Sequence, residues 1–450
     1  MSERLFGTDG IRGRAGQPPL DGATLWRIGR ALAHRFPGAA LIGRDTRQSG
    51  LWIEEVLKNS MESAGMSVRC AGVMTTPGVA FLTRDGSYRA GVVISASHNP
   101  FQDNGIKIFR SDGQKLDDET QALIEGLVNQ EPGPRRSPLP SSEPDQERLL
   151  QGSPGDNQSY LDFLAQAAES PADSLSGLKI VLDCAQGAAF RIAPQVFRRL
   201  GAQLVEMNSD PDGTNINRGC GALHPELMAR QVAECGADLG AAFDGDADRV
   251  IFADRQGHLL DGDHILLLLA RHFKQSGKLY TATVVTTVMA NMGLEAALLK
   301  EGIRMVRTRV GDRWVWESMH KGGHALGGEQ SGHIILHHAL PSGDGILAAV
   351  KVAWLIASGE ASLTEVRQSL RKYPQLLLNL PVSSKPDFRR IPAIRTEMRR
   401  IEDELKEQGR LLVRYSGTEP LVRIMLEAQH GIDPAPYAES LAACFREALG

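Results

Sequence analysis

The chain has 450 residues, of which 42% are hydrophobic and 23% are charged, and its formal net charge at pH 7 is −4. This composition is typical of a soluble globular protein, and the length predicts roughly three domains, with two or four as alternatives. A net negative charge gives no electrostatic reason to expect a nucleic-acid partner, so any basic site must be local.

Cysteine usage and apolar runs exclude several further classes of protein. The five cysteines form no Cys-x-x-Cys pair, so neither a disulfide framework nor a zinc site is expected. The first residues, Met-Ser-Glu-Arg-Leu, carry charge where a signal peptide needs an apolar core. The longest apolar run, residues 265–270, is far shorter than the ~20 residues of a membrane-spanning helix. We therefore expect a cytoplasmic protein without a membrane partner.

The first part of the chain alternates amphipathic stretches with short apolar runs. Helices are predicted at residues 22–36 and 51–64, and strands at 39–42, 67–73 and 90–94. Such alternation predicts parallel α/β layers, in which ligand-binding residues gather at the carboxyl ends of the strands.

After a segment of different composition, the rest of the chain repeats this alternation of helices and strands. Residues 131–158 are rich in Pro, Ser, Gly and charge, which is typical of an interdomain linker. A second alternation covers residues 178–182, 193–200, 202–207, 225–235 and 239–243, and a third covers 265–273, 283–288, 294–299, 305–309 and 346–357. From about residue 374 the pattern is shorter, with a strand, a charged helix at 392–408, strands at 411–413 and 422–426, and a closing helix.

These patterns predict an α/β protein of four parts. Three mixed α/β domains of similar size are expected at residues 1–150, 151–253 and 254–370, followed by a smaller α+β domain at 371–450. The first three share a rhythm of strand and helix, but no residue-level repeat demonstrates a duplication.

A serine loop directly follows the strand predicted at 90–94. Residues 94–100 read Ile-Ser-Ala-Ser-His-Asn-Pro, which places the Ser97 hydroxyl next to the imidazole of His98. No Gly-x-Ser-x-Gly elbow surrounds Ser97, so the pattern is not that of a serine hydrolase. Ser97 either carries a transferred group or is an ordinary turn serine. Lys107, a little further on, either offsets phosphate charge or moves a proton in the same site, or is an exposed strand lysine.

An acidic loop follows the strand predicted at 239–243. Residues 244–248 read Asp-Gly-Asp-Ala-Asp, and such a concentration of carboxylates is unfavourable unless a cation lies among them. Oxygen ligands favour Mg²⁺ or a similar hard ion. A calcium-binding EF-hand loop is excluded, because Arg249 and Arg255 stand where that loop needs Gly and Glu. The alternative is a solvated acidic turn, although Arg249 could bind a phosphate beside the ion.

A third loop, residues 327–333, reads Gly-Gly-Glu-Gln-Ser-Gly-His. Its glycine spacing resembles a nucleotide-binding P-loop, but the required Lys-Ser/Thr pair is missing. Glu329, Ser331 and His333 alternate, so one face could offer both acceptors and donors to the hydroxyls of a sugar. The alternative is a glycine-rich surface turn.

A fourth loop, residues 414–419, reads Arg-Tyr-Ser-Gly-Thr-Glu and is followed by Arg423. Backbone N–H groups near a glycine form an anion-binding nest, and arginine adds bidentate contacts to phosphate. The loop therefore favours phosphate binding over the alternative of an ordinary hairpin turn. A lone serine together with a hard-metal site indicates phosphoryl transfer rather than acyl transfer.

These four loops, in this order, resemble the α-D-phosphohexomutase superfamily over essentially the whole chain. The resemblance runs from residues 6–13, Phe-Gly-Thr-Asp-Gly-Ile-Arg-Gly, to Arg423. The opening motif, the Gly-Glu-Gln-Ser-Gly-His form, and the segments at 310–313 and 343–345 are most similar to the bacterial phosphoglucosamine mutase branch. Tyr415 departs from the smaller residue or proline that relatives often carry. The resemblance implies four domains around a central cleft, each of which contributes one loop.

The resemblance also implies a role for each matching residue. Ser97 corresponds to a phosphoserine, whose phosphate binds Mg²⁺ together with Asp244, Asp246 and Asp248. Sugar hydroxyls are implied to bind Glu329, Ser331 and His333. The phosphate that is not transferred is implied to bind Arg414, Ser416, Gly417, Thr418 and Arg423. The reaction centre is implied to contain Arg12, His98, Lys107 and Arg249.

The activity implied by the resemblance is the interconversion of glucosamine 6-phosphate and glucosamine 1-phosphate, a step of amino sugar metabolism. It implies a phosphoserine and a hexosamine or hexose 1,6-bisphosphate as the activating intermediate. The alternatives are a phosphoglucomutase or phosphomannomutase, a non-catalytic phosphosugar-binding protein, and a metal-dependent phosphatase. Gln330 is uncharged, so its charge gives no physical reason to expect that it selects a 2-amino sugar. The expected partner is a phosphosugar, without nucleic acid or membrane, and a homodimer stays open.

Overall fold

The computed structural model describes residues 5–7, 9–133, 146–169, 171–416 and 420–450. The chain forms two compact units, one of Met1–Met289 with Gly302–Gln368 and a smaller one of Ala290–Glu301 with Ser369–Gly450. The larger unit contains three β-sheets and the smaller unit contains a fourth. Within the described part of the chain, every helix is too short or too polar to cross a membrane.

The first sheet is built from the N-terminal part of the chain. Its strands are β1 (Ile11–Arg14), β2 (Ala39–Arg44), β3 (Ser67–Val73), β4 (Ala90–Ile94) and β5 (Asp103–Arg110), in the order β1-β5-β4-β2-β3. The helices are α1 (Gly22–Arg35), α2 (Ser49–Ser63), α3 (Thr76–Asp85) and α4 (Asp118–Gln130). Strand β2 pairs in parallel with β3 and β4, whereas β5 pairs antiparallel with both β4 and β1. The Asp21 carboxylate caps the N-terminus of α1, whose apolar face joins the core.

Two helices occupy part of the segment predicted as a linker. They are α5 (Gln146–Leu150) and α6 (Pro154–Ala167). The segment predicted as a linker, 131–158, therefore contains helical structure in its last part, which composition did not predict, and residues 134–145 lie outside the described residues. Pro154 begins α6 at a position that tolerates proline, and Tyr160 and Leu164 are buried on one face of the helix. Composition suggested a linker because these anchoring residues are sparse.

The second sheet contains five strands and two principal helices. The strands are β6 (Lys179–Asp183), β7 (Gln203–Met207), β8 (Leu239–Phe243), β9 (Val250–Ala253) and β10 (Leu259–Leu260), and the helices are α7 (Ala189–Arg199) and α8 (Glu226–Cys235). The strand order is β10-β9-β8-β6-β7. Strand β6 pairs in parallel with β7 and β8, and β9 pairs antiparallel with β8 and β10.

The third sheet has four strands in the order β12-β11-β13-β14. From α9 onward the elements are α9 (Gly262–Gln275), β11 (Thr283–Thr287), α10 (Met292–Lys300), β12 (Arg304–Thr308), α11 (Asp312–Gly322), β13 (Leu326–Gly328), β14 (Ile334–Leu336), α12 (Gly345–Ala357) and α13 (Leu363–Ser369). Helix α10 belongs to the smaller unit. Strands β12 and β13 are parallel to β11, and β14 is antiparallel to β13.

The smaller unit contains a three-stranded antiparallel sheet and two long helices. Its further elements are β15 (Gln375–Pro381), α14 (Pro392–Leu405), β16 (Gly409–Tyr415), β17 (Leu421–Ala428) and α15 (Ala435–Leu449), with the strand order β15-β17-β16. Short 3₁₀ turns occur in this unit at Phe388–Arg390 and Lys406–Gln408, and a further one, Gly221–Leu223, lies in the larger unit. Helix α14 ends before the predicted residue 408, since Lys406 adopts a left-handed φ of 48°. Both helices pack on the sheet through buried residues such as Ile401 and Phe445.

The predicted fold class, three α/β parts followed by a smaller α+β part, is confirmed. Parallel strands form the centre of the first three sheets, as the alternation of strands and helices predicts. The antiparallel strands β1, β5, β9, β10 and β14 were not predicted. They are short or interspersed with charged and polar residues, so their apolar period is weak. Strands β4 and β8 are buried throughout. The loop after β4 carries the serine predicted to react, and the loop after β8 carries the aspartates predicted to bind a metal ion.

Candidate active site

The serine predicted to react directly follows β4. Ser97 is 1% exposed, and its backbone φ of 52° lies in the left-handed region that non-glycine residues seldom adopt. Its N–H donates to the Ser95 hydroxyl at 2.9 Å, and its own hydroxyl donates to Oδ2 of Asp244 at 2.5 Å. The loops that follow β4 and β8 therefore meet. This agrees with the strand-end rule, by which the ligand-binding residues of α/β proteins gather at the carboxyl ends of the strands.

The three aspartates after β8 form a compact acidic group, which we call the acidic trio: Asp244, Asp246 and Asp248. One carboxylate oxygen of each lies within 4.8 Å of the others, and all three residues are buried. Oδ1 of Asp246 and Oδ1 of Asp248 accept no hydrogen bond from the described residues. Unpaired buried carboxylate oxygens are unfavourable. Since hard oxygen donors converge here, the acidic trio is suited to a divalent cation.

Burial and charge shift the pKa values within the acidic trio in opposite directions. Burial raises the pKa of Asp244 well above its ordinary value, and the charges of Asp248 and Asp246 raise it further. Burial also acts to raise the pKa of Asp248, but Lys107, His333 and Arg249 together outweigh burial and hold that pKa well below its ordinary value. Asp244, which accepts the hydrogen bond from Ser97, is thus the carboxylate of the acidic trio that takes up a proton most readily.

Lys107, on β5, supplies positive charge beside the acidic trio. Its side chain is 1% exposed, and its Nζ lies 2.8 Å from Oδ2 of Asp246, 3.0 Å from Oδ2 of Asp248 and 3.3 Å from Oδ2 of Asp9. Burial lowers the pKa of this ammonium, but the three carboxylates outweigh it and raise the pKa well above its ordinary value. Lys107 is therefore charged at neutral pH, and the alternative of an exposed strand lysine is wrong.

A chain of ion pairs links the acidic trio to the third sheet. Lys115 Nζ lies 2.6 Å from Oδ1 of Asp9 and 2.6 Å from Oδ2 of Asp312, the first residue of α11. Nε2 of His333 lies 3.3 Å from Oδ2 of Asp312, and its Nδ1 lies 3.7 Å from Oδ1 of Asp248. Burial lowers the pKa of His333, but Asp248 and Asp312 outweigh it and raise the pKa to about 10. His333 thus contacts the acidic trio, and its sugar-binding role stays a prediction.

His98 is the neutral imidazole of the site. Its Nδ1 lies 3.4 Å from the Ser97 hydroxyl and 3.4 Å from Nη1 of Arg249. Burial lowers the pKa of His98 to about 4, with further lowering from the charges of Arg249 and Arg12. His98 is therefore neutral at pH 7 and can accept a proton.

Two arginines lie on either side of the serine loop. Arg12, on β1, forms an ion pair with Asp9, and its Nη1 donates to the carbonyl of Ala96 at 3.5 Å. The backbone N–H of Arg249 donates to Oδ1 of Asp244 at 3.2 Å. Burial lowers the pKa of the Arg249 guanidinium, but nearby carboxylates outweigh it and raise the pKa, so this side chain is a fixed cation.

The loop between β13 and β14 carries Glu329 and Ser331. Glu329 is 8% exposed, and its Oε1 accepts a hydrogen bond from the Gly311 N–H at 3.1 Å. Ser331 is exposed. Both residues belong to the same compact unit as Ser97 and the acidic trio. The loop therefore offers one accessible hydroxyl and one carboxylate whose position is fixed by the backbone.

The predicted phosphate-binding residues lie in the smaller unit. Arg414 on β16 and Arg423 on β17 stand directly opposite each other. Like charges at such paired positions are unfavourable, and burial, with the charge of Arg423, lowers the pKa of Arg414. Ser416 is 4% exposed, and its carbonyl accepts from Nζ of Lys385 at 2.7 Å. A bound anion would relieve this concentration of positive charge. Gly417 and Thr418 lie outside the described residues.

The structure thus brings most of the predicted reaction-centre residues together. They are Ser97, Arg12, His98, Lys107, Arg249, Asp244, Asp246 and Asp248, all in the larger unit. The predicted phosphate-binding residues Arg414, Ser416 and Arg423 belong to the smaller unit.

Sequence analysis missed several residues that contact this site. Thr76, at the start of α3, donates from its hydroxyl to Oδ2 of Asp246 and from its N–H to the Asp246 carbonyl. A signal for Thr76 existed, because Thr-Thr-Pro marks a helix N-terminus. Asp9 stands within the opening motif, which served only to support the family resemblance. Lys115 and Asp312 are single charged residues in separate segments, and no local pattern connects them.

Comparison with protein families matches nearly the whole chain in four parts. The matching descriptions are phosphoglucomutase/phosphomannomutase alpha/beta/alpha domain I over residues 3–134, domain II over 158–257 and domain III over 261–373, and the C-terminal domain over 377–433. A protein named phosphoglucosamine mutase from Solibacter usitatus is 45% identical, and the match covers 100% of both chains.

Solved structures share the fold at lower identity. A phosphoglucomutase/phosphomannomutase family protein from Burkholderia thailandensis gives a TM-score of 0.79 at 22% identity, covering 100% of this chain and 99% of the other. Aspergillus fumigatus N-acetylphosphoglucosamine mutase, in complex with GlcNAc-6P and magnesium, gives 0.66 at 19% identity, covering 98% and 95%. The family resemblance found in the sequence is confirmed: the chain belongs to the phosphoglucomutase/phosphomannomutase family of α-D-phosphohexomutases.

Proposed function

We propose that the chain interconverts glucosamine 6-phosphate and glucosamine 1-phosphate through a phosphoserine at Ser97. The observation that carries this proposal is the 2.5 Å hydrogen bond from the Ser97 hydroxyl to Asp244, within a trio of buried carboxylates. A serine at such a position can carry a phosphoryl group whose charge is screened by the neighbouring cations. The full-length relative named phosphoglucosamine mutase supports the choice of substrate.

The acidic trio and the phosphate of Ser97 would hold Mg²⁺. The Oδ1 atoms of Asp246 and Asp248, which accept no hydrogen bond from the described residues, support this assignment, since Mg²⁺ prefers carboxylate and phosphate oxygens. When bound, the ion neutralises phosphate oxygens and makes the phosphorus more electrophilic. The magnesium that accompanies GlcNAc-6P in the Aspergillus fumigatus enzyme is consistent with this choice.

In the first transfer, the O1 hydroxyl of glucosamine 6-phosphate attacks the phosphorus of phosphoserine. The new O1–P bond forms as the bond between phosphorus and Ser97 Oγ breaks, which leaves a 1,6-bisphosphate and a free serine. The hydroxyl proton passes to the serine oxygen. His98, whose Nδ1 lies 3.4 Å from the Ser97 hydroxyl, and Lys107, whose Nζ lies 2.8 Å from Asp246, are the two candidates for moving this proton.

In the second transfer, the bisphosphate presents its other end to Ser97. The serine oxygen attacks the phosphorus on O6, the O6–P bond breaks, and the serine proton passes to O6, so that glucosamine 1-phosphate is released with the phosphoserine restored. Catalysis consists mainly of positioning and charge neutralisation, because phosphoryl transfer needs little covalent help from the protein.

Two further groups of residues would hold the sugar during both transfers. Glu329, Ser331 and His333 bind sugar hydroxyls, while Arg414, Ser416, Gly417, Thr418 and Arg423 bind the phosphate that is not being transferred. The paired arginines on β16 and β17 support this role, since a bidentate phosphate contact offsets their mutual repulsion. We also propose domain limits at residues 1–150, 151–253, 254–370 and 371–450.

The remaining sequence expectations stay predictions. They are a cytoplasmic location, a homodimer as an open alternative, the lack of nucleic-acid and membrane partners, and a hexosamine or hexose 1,6-bisphosphate as the activating intermediate.

The substrate is tested by comparing kcat/KM for glucosamine 6-phosphate, glucose 1-phosphate and mannose 1-phosphate under the same conditions. We expect the highest value for the glucosamine phosphate. A higher value for glucose or mannose phosphate would identify a phosphoglucomutase or phosphomannomutase. Net release of inorganic phosphate would identify a phosphatase, and binding without turnover would identify a phosphosugar-binding protein.

Ser97→Ala is expected to abolish mutase turnover, because no oxygen remains to accept the phosphoryl group. Intact-protein mass spectrometry should detect one phosphoryl group on the wild type and none on the variant. Ser159→Ala, at an exposed position of α6, is the matched control and should keep both activity and phosphorylation. Near-normal turnover by Ser97→Ala would rule out the phosphoserine mechanism.

Lys107→Met is expected to lower the free energy of unfolding by about 3–5 kcal/mol, because the buried carboxylates of Asp246 and Asp248 lose the ammonium that lies within 3.0 Å of both. Extra negative charge should also make Mg²⁺ raise the thermal midpoint by more than it does in the wild type. Differential scanning calorimetry with EDTA and with Mg²⁺ measures both effects. Lys321→Met, whose side chain is 79% exposed, is the control. Equal Mg²⁺ effects in the variant and the wild type would contradict charge compensation by Lys107.

Arg414→Ala is expected to raise KM for the sugar phosphate by about 10- to 100-fold, the size of a lost charge-assisted contact. Steady-state kinetics measure KM and kcat separately. Arg446→Ala, on the exposed face of α15, should leave KM unchanged. An unchanged KM in Arg414→Ala would argue against phosphate binding by this residue.

A further inference from the structure

The loop that carries Ser97 is held by a side chain from the loop after β7, to which neither the sequence motifs nor the family resemblance assigned a role. We propose that Asn217 is a positioning residue for phosphoryl transfer, which fixes the backbone of Ser97 relative to the acidic trio. This inference rests on the function proposed for Ser97.

Asn217 contacts the serine loop through two hydrogen bonds. Its Nδ2 donates to the carbonyl of Ser97 at 2.8 Å and to the carbonyl of Asn99 at 3.1 Å. Its own backbone N–H donates to the carbonyl of Ala185, just after β6, at 2.9 Å. Asn217 therefore links the serine loop, which follows β4, to the segment that follows β6.

The conformation of Ser97 needs such support. A left-handed φ of 52° at a serine is unfavourable by roughly 1–3 kcal/mol, and it persists only where neighbouring contacts impose it. Two donors fix the Ser97 carbonyl: Nη2 of Arg47 at 2.9 Å and Nδ2 of Asn217 at 2.8 Å. Rotation of this peptide would break both bonds and move the hydroxyl.

The two donors differ in what they fix. Arg47 is fully buried and also donates to the carbonyls of Asn99 and Asp103. Since Arg47 and the serine loop belong to the same α/β segment, Arg47 fixes the conformation of the loop but not its position relative to the acidic trio. Asn217 lies in the loop between β7 and the 3₁₀ turn at Gly221–Leu223, so it belongs to the same α/β segment as the acidic trio, which follows β8. Of these two donors, Asn217 is the one that sets the serine's position relative to Asp244.

Close packing makes this contact sensitive to small shifts. A β-carbon placed on Gly245, inside the acidic loop, would lie 2.6 Å from the Ser97 carbonyl oxygen and 2.9 Å from Nδ2 of Asn217. The serine loop, the Asn217 amide and the acidic loop thus touch with no spare space. A displacement at one of them is transmitted to the others.

Two variants remove the donor without adding backbone strain. Asn217 has a φ of 57°, which aspartate and glycine both tolerate. Asn217→Asp keeps the shape but turns the donor into an acceptor that faces two carbonyl oxygens. Asn217→Gly deletes the side chain, and it replaces Asn217→Asp as the test variant if the aspartate variant does not fold. Asn215→Asp is the control, because the Nδ2 of Asn215 donates to Asp210 inside the same loop.

The first readout is steady-state kinetics on a hexose phosphate that the wild type converts, together with the phosphoserine content from intact mass. A misplacement of about 1 Å can reduce phosphoryl transfer by roughly 100-fold. We expect kcat per phosphorylated site to fall by about 10- to 100-fold in both variants, with KM within about threefold of the wild type. The Asn215→Asp control should keep the wild-type kcat.

Two kinetic outcomes would overturn the proposal. One is a kcat within twofold of the wild type per phosphorylated site, which would leave Asn217 a merely structural role. The other is a rise in KM with an unchanged kcat, which would make Asn217 a substrate-binding residue instead.

The second readout is a crystal structure of Asn217→Gly, which does not depend on which substrate the enzyme uses. We expect Ser97 to leave its left-handed conformation and its hydroxyl to lose the contact with Asp244. An unchanged serine loop would overturn the positioning role even if the proposed mutase function holds. A displaced loop would support the role even if the preferred substrate is another hexose phosphate.

Discussion

The structure depends on a concentration of negative charge that must be neutralised where Ser97 meets the acidic trio. Three buried carboxylates lie within 4.8 Å of one another, and a phosphate on Ser97 would add a charge of roughly −1.5 to −2. Lys107 and Arg249 supply fixed positive charge at this point, but Oδ1 of Asp246 and Oδ1 of Asp248 accept no hydrogen bond from the described residues. A divalent cation held by the acidic trio would complete the charge balance and would screen the charge of the phosphoryl group.

This constraint explains why distant segments converge on one site. The strand ends β4 and β8 bring the serine and the acidic trio together, while β5 adds Lys107 through antiparallel pairing with β4. The ion pairs through Asp9, Lys115 and Asp312 extend the charge balance to His333, the last residue of the predicted sugar-binding loop. The third sheet is therefore connected to the reaction centre by charge as well as by the chain.

Sequence analysis could predict the parts of the site that local patterns encode. Ser97 and the acidic trio each follow an apolar strand, so the strand-end rule was enough to place them in one site. Lys115, Asp312 and Asn217 could not be predicted in this way, because their partners are far away in sequence and each is a single polar residue. Strand β5 and helix α6 were missed since their apolar residues are interspersed with polar ones. Gly417 and Thr418 lie outside the described residues, so their roles stay predictions.

The most direct test is a crystal structure of the phosphorylated protein grown with Mn²⁺, which substitutes for Mg²⁺ and gives an anomalous signal. We expect one anomalous peak bonded, at about 2.0–2.3 Å, to oxygens of Asp244, Asp246 and Asp248 and to the phosphate on Ser97. A fully loaded crystal with no peak among these aspartates, or with a peak that does not contact the Ser97 phosphate, would contradict charge screening by a metal at the reacting serine.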